Sequence, residues 1–319
     1  MGRKCRKLLL KGIPICGVIL LILWGYSLYN TLRFMVPGKA TEPFTLSLSD
    51  VSDDTSAPGE MEKIPRVIHQ LWKDENIPER WSNTVNSCRR QHPDENGWQF
   101  ILWTDEKIMS FMNENYSWFM PVFHSYPYNI QKFDAARYFI LYHYGGVYMD
   151  LDIGCKKPMD PLLSKATFIL PSTEPIGYSN DWFAATPKHP FLYQAIHNLS
   201  KFNHRYFTKY PTVFLSAGPL FLSYQFCKYL LTPHEPVRVL PALLYGNGPN
   251  SFFSHVTGDS WHGTDAKVFI WIDRNSKSVL FFAFLAAFAI LFLCLRVVFK
   301  RRRKRGIAAS HSQIQELYP

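Results

Sequence analysis

Residues 144–152 read Tyr-Gly-Gly-Val-Tyr-Met-Asp-Leu-Asp, and this stretch constrains the fold more than any other. Before it, residues 131–143 place Phe133, Ala136 and Ile140 at helical spacing. Gly145-Gly146 ends that helix, because glycine enters positive φ at little cost. Val147, Tyr148 and Met149 then predict a short buried strand. Asp150 and Asp152 follow where the strand must end. On extended backbone both carboxylates would share one face. Like charges that close repel unless something positive sits between them, and a hard divalent cation suits oxygen ligands. In open α/β sheets, ligands collect at the carboxyl ends of strands. A lone D-x-D also fits a solvated strand end. Asp134 and Arg137, one turn apart on the preceding helix, favour the metal-site reading.

D-x-x-R followed by Y-G-G-V-Y-x-D-x-D resembles the fungal glycosyltransferases of the DXD sugar-binding family, which includes Golgi mannosyltransferases. The resemblance covers roughly residues 64–262. It implies an α/β domain, a Rossmann-like sheet of the GT-A type, with a nucleotide across its first half and D-x-D at its centre. It implies that Asp150 and Asp152 are catalytic and hold Mn²⁺, or Mg²⁺ on the same oxygens. Asp134 and Arg137 would hydrogen-bond the donor sugar, with Asn180 and Asp181 across it from the metal. His69, Trp72 and Trp261 would lie near the nucleotide. The family's H-x-x-x-x-S-W ending matches His255 to Trp261, so His255 or His262 would complete the metal site. Taken alone, these residues also fit plainer places. Trp72 suits a core, Asp134–Arg137 a weak surface ion pair, Asn180-Asp181 an Asx turn, and each histidine a satisfied polar side chain.

The formal charge of +10 belongs to the ends. Residues 1–36 carry six basic side chains, and residues 279–319 carry seven with one acid. The remaining 22 basic and 24 acidic residues leave the middle near neutral, which excludes nucleic acid as a partner. The basic tail 1–12 precedes an apolar anchor expected over 13–36, with its core at 13–29. A second span is expected over 279–299, and Lys300-Arg-Arg-Arg-Lys-Arg305 opens the 300–319 tail. Positive residues on the outer flanks put both termini in the cytosol and the middle in a lumen, with a Golgi membrane implied by the family. Residues 37–63, rich in Ser, Thr, Pro and acids, predict a flexible stem. The catalytic domain is expected over 64–278.

Within it, 64–72 and Trp98–Trp103 predict strands and 78–92 a helix; Thr104 suits a helix cap. The βαβ order predicts a parallel sheet with flanking helices. Cys88, Cys155 and Cys227 allow one disulfide whose pairing stays open. Asn115 and Asn198 begin glycosylation sequons.

The implied reaction is metal-dependent, retaining transfer of mannose from a sugar nucleotide, GDP-mannose. Two spans beside a luminal site point to a membrane sphingolipid acceptor, inositol phosphorylceramide. A protein-linked glycan acceptor and a non-catalytic regulatory membrane subunit are the competing readings. The resemblance also implies a regulatory membrane subunit as a partner. A D-x-D-x-T/V phosphatase is disfavoured because Gly154 stands where that motif needs Thr or Val.

Overall fold

The computed structural model describes residues 33–52 and 64–256, except positions 37, 174 and 175, with scattered positions in 23–30 and 265–275. The chain divides into two compact units, Met1–Trp261 and His262–Pro319. Among the described residues, no helix is long and apolar enough to cross a membrane. The span expected over 279–299 lies outside them, as does most of 13–36.

The fold begins earlier than the sequence predicts. Phe34 and Met35, assigned to the end of the anchor, are buried in the domain core. Part of the expected stem also folds. Thr45 bridges Val239 in parallel, Leu46 is buried, and α1 (Leu48–Ser52) follows. The reason is local: Phe34, Phe44 and Leu46 are apolar side chains that the domain can cover.

β1 (Val67–Leu71), α2 (Ser82–Gln91), β2 (Gln99–Trp103) and α3 (Asp105–Asn115) come next. The Thr104 hydroxyl accepts from the Lys107 amide at 3.3 Å and caps α3 as expected. α4 (Met120–Ser125) leads into α5 (Asn129–Tyr144), which delivers β3 (Gly146–Met149). β4 (Ile153–Cys155), α6 (Asp160–Leu163), β5 (Phe168–Pro171), β6 (Trp182–Ala185) and α7 (Pro190–Phe202) follow. α8 (Lys209–Ser216), α9 (Pro219–Tyr229), β7 (Val237–Leu240), α10 (Ala242–Tyr245) and β8 (Phe253–His255) complete the domain.

The main sheet has the order β2-β1-β3-β6-β5-β7. Its β2-β1-β3 half is parallel, as the βαβ pattern predicts. β6 departs from that pattern by pairing antiparallel with both β3 and β5. β3 is buried on both faces, which explains its uninterrupted apolar run. One face packs Tyr138, Phe139, Phe168 and Phe183; the other packs Ile68, Trp98, Met149 and Trp182.

The two glycines before β3 are required by space as well as by φ. Gly145 has φ +67°, and a Cβ there would lie 2.6 Å from Pro187 Cδ. Gly146 has φ +92°, and its Cβ would lie 2.5 Å from the Val67 carbonyl oxygen. Gly218 passes close to its own preceding helix. A Cβ there would meet the Val213 carbonyl oxygen at 2.8 Å.

β4 and β8 form a separate antiparallel pair. The disulfide is Cys88–Cys155, leaving Cys227 free and buried. It ties α2 to the strand directly after the Asp150–Asp152 turn. Of the sequons, Asn115 is exposed, while Asn198 is half-buried and donates to Gln225 Oε1 at 2.9 Å. The disulfide closes a loop with a sequence separation of 67. Replacing both cysteines by Ala should therefore lower unfolding free energy by about 4 kcal/mol on the chain-entropy argument. Denaturant titration of the double variant checks this, and an unchanged midpoint would remove the cross-link from the stability of the fold.

Candidate active site

The expected extended placement of Asp150 and Asp152 gives way to a turn. The strand stops at Met149, and the Ile153 amide donates to the Asp150 carbonyl at 3.2 Å. Leu151 drives the turn by burying itself against Trp81 and Val85, while the Thr84 hydroxyl donates to its carbonyl. The carboxylates remain close enough to feel each other. Burial, then the charges of Asp150 and Asp181, push the Asp152 carboxyl up to about 7. Burial and Asp181 also raise Asp150, against the opposing pull of Arg137.

Asp134 and Arg137 are not a surface pair. Both are buried, with Arg137 Nη2 3.0 Å from Asp134 Oδ1. Arg137 Nη1 lies 3.6 Å from Asp150 Oδ1 and donates to the Asn180 carbonyl at 2.6 Å. Its guanidinium carbon sits 4.5 Å from the centre of the Tyr148 ring. Asn180 is buried as well, and Nδ2 donates to Asp134 Oδ1 at 2.9 Å, which rules out a simple exposed Asx turn. The Asp181 carbonyl accepts the Asp150 amide at 2.8 Å. The fold therefore brings Asp134, Arg137, Asp150, Asp152, Asn180 and Asp181 into one network.

Three tyrosines belong to this network and were not singled out in the sequence. The Tyr148 hydroxyl donates to Asp150 Oδ1, and Tyr245 donates to Asp181 Oδ1 at 2.7 Å. Tyr138 accepts from Asn180 Nδ2 at 3.3 Å and donates to the Ala217 carbonyl at 2.7 Å. Tyr148 was findable, because it precedes Asp150 by two residues. Tyr245 carries no comparable local signal.

His69 is corrected from a nucleotide contact to a core hinge. It is fully buried, Nε2–H donates to the Gly145 carbonyl at 3.0 Å, and Nδ1 accepts Trp103 Nε1–H at 3.0 Å. Both ring nitrogens are occupied, so none remains for a ligand. Trp72 is half-buried beside Trp81, Val85 and Leu151, and its indole Nε1 has no hydrogen-bond partner. Trp261 and His262 lie outside the described residues.

Among the described residues, no three His, Cys, Asp or Glu side chains converge to hold a metal. His255 is therefore not joined to Asp150 and Asp152 as a third ligand. Its ring Nε2 bonds the Tyr245 carbonyl at 2.6 Å instead. The two D-x-D carboxylates still fit a hard cation. The charges of Asp150 and Asp181 both act on the Asp152 carboxyl, with Arg137 the cation that opposes them, so added positive charge would be favourable there.

The structure defines a mixed α/β domain with the two D-x-D acids, Asp150 and Asp152, just past a central strand. Residues 78–169 match the glycosyltransferase sugar-binding region containing the DXD motif. Inositol phosphoceramide mannosyltransferase 2 of Schizosaccharomyces pombe is 38% identical over 280 residues, 86% of this chain and 78% of that one. Mannosyl phosphorylinositol ceramide synthase SUR1 of Saccharomyces cerevisiae is 37% identical over 286 residues, 89% of this chain and 73% of that one. The initiation-specific alpha-1,6-mannosyltransferase of Saccharomyces cerevisiae matches 40% of this chain and 27% of its own length, at 30% identity. The chain belongs to the DXD-motif glycosyltransferase family and is an enzyme of that class.

Two measurements test this geometry. Arg137→Met leaves Asp134 buried without its partner and should cost about 3 kcal/mol of stability. Adding Asp134→Asn should recover part of that loss, with a coupling of about 1 kcal/mol or more in a denaturant double-mutant cycle. Additive losses would dissolve the network. His69 supplies the second. Burial lowers its pKa from 6.5 to about 4, so below 6.5 the unfolded chain binds a proton that the folded one refuses. Stability from His69 is complete above 6.5 and is lost as pH falls toward 4, up to about 3 kcal/mol. Melting curves of His69→Gln between pH 7 and 4 should show a shallower acid decline than the parent.

Proposed function

We propose that the protein is a retaining, metal-dependent mannosyltransferase of the GT-A type that moves mannose from GDP-mannose to inositol phosphorylceramide. The observation that carries this reading is the set of crowded carboxylates past β3, short of positive charge. The names and lengths of the matched relatives support the sugar and the lipid. Asp150 and Asp152 would hold Mn²⁺ or Mg²⁺, which when bound neutralises the departing nucleoside diphosphate. Tyr148 and Arg137 hold Asp150 in place through its Oδ1. Tyr245 does the same for Asp181. Asn180 keeps the Asp134 carboxylate turned toward Arg137. Any sugar contact by Asp134 or Arg137 must then come from polar edges not already spent on each other.

The apolar runs at 13–29 and 279–299, with basic outer flanks, support a membrane enzyme whose domain faces the lumen of the secretory pathway, in a Golgi membrane. The Cys88–Cys155 disulfide supports an oxidising compartment. A regulatory membrane subunit would be its partner. A full-length preparation in membranes, given GDP-mannose and extracted sphingolipids, should yield a lipid heavier by one hexose. Asp152→Ala should abolish the product while the melting temperature stays the same or rises, because a crowded carboxylate is removed. Chelator should stop the parent enzyme, and Mn²⁺ should restore it. Transfer in excess chelator would end the metal reading. Transfer to glycans alone would replace the lipid acceptor with a protein-linked one.

A further inference from the structure

The chain enters its domain at the Asp150 end of the sheet. Tyr178 donates its hydroxyl to the Phe34 carbonyl at 2.8 Å, and the Gly177 amide donates to the Met35 carbonyl at 2.7 Å. Tyr178 precedes Asp181 by three residues, and Asp181 binds the Asp150 amide. Residues 33–36, which follow the apolar run 13–29 in sequence, therefore enter the domain beside the candidate site. Val36 and Ile176, at 53% and 48% exposure, flank this entry.

A second exposed segment reaches the same end by topology. β6 runs opposite to β3, so α7 starts at the far end of the sheet and returns at Phe202. α5, which runs into β3, begins at the Asp150 end, and just before it Ser125 Oγ accepts from Asn203 Nδ2 at 2.7 Å. The connection from His204 to Thr208 is exposed throughout, and Phe207 is 106% exposed. From 203 to 214 the chain carries Arg205 and Lys209 and no acid. The near-neutral balance of the middle of the chain makes this a local excess. An exposed Phe beside a Tyr and two cations suits the headgroup layer, where aromatic rings settle and cations meet anionic lipid.

We propose that the 204–209 loop docks on an anionic bilayer surface, with Phe207 entering the headgroup region. The candidate site then opens at the level of the lipid headgroups. This deepens the lipid-acceptor reading and rests on it, but its first test does not depend on transfer.

The full chain is reconstituted in phosphatidylcholine–phosphatidylserine vesicles. Phe207→Cys carries an environment-sensitive fluorophore, with Glu95→Cys, on the loop before β2, as the far-end control. Headgroup-region spin-labelled lipid should quench the probe at 207 and spare the one at 95. No quenching at 207, or equal quenching at both, overturns the proposal, the former also covering a loop shielded by a protein partner. Phe207→Asp should leave the melting temperature unchanged and slow transfer to vesicle-borne acceptor by about tenfold, the scale expected from losing one buried aromatic. A lowered melting temperature would return Phe207 to the packing of the domain and overturn the assignment. Quenching without any sugar transfer to lipid would leave the docking loop standing and remove the lipid acceptor.

Discussion

Arg137 sets one guanidinium between Asp134 on its own helix and Asp150 beyond the neighbouring strand. A buried cation of this kind is unfavourable unless its donors and charge are answered. Here Asp134, Asp150, the Asn180 carbonyl and the Tyr148 ring answer most of it. The consequence reaches past one ion pair. α5, β3 and the start of β6 are all fastened to the same side chain, so the end of the sheet is oriented by it.

The cluster stays short of positive charge even so. The charges of Asp150 and Asp181 both act on Asp152, with Tyr148 donating to Asp150 and Tyr245 to Asp181. Tyrosine hydroxyls orient carboxylates without neutralising them. The rigid frame lies below the cluster. His69 joins Trp103 to Gly145 through both ring nitrogens, and Gly145 and Gly146 let α5 close onto β1 and Pro187. Cys88–Cys155 fastens the far side of the turn.

Much of this was legible in the chain because it is local. The helix before Gly145, the two positive-φ glycines, the buried strand and the acids after it lie within one continuous stretch. Periodicity and glycine chemistry report such things directly. Residues joined through space were harder. Asn180 was placed near the sugar by resemblance, and its bond to Asp134 could not be foreseen. His69 was misjudged because a histidine at a strand end looks the same whether its nitrogens face a ligand or a core. Residues 34–46 were harder to place, because the end of an apolar anchor and a polar stem look the same in sequence whether or not the domain covers them.

By itself, the sequence determined the α5–β3 unit, the D-x-D at its end, the family, and where apolar and basic segments lie along the chain. Those follow from spacing and side-chain chemistry, which need no partner. Only the tertiary structure decided that β6 runs antiparallel beside β3, that Cys88 bonds Cys155, that Tyr245 meets Asp181, and that Arg137 answers Asp150. Each of these joins residues tens of positions apart, apart from the Arg137–Asp150 pair, which two helix turns and a strand separate. Contacts of that kind are set by how the elements pack, and packing is a property of the folded chain and not of any stretch within it.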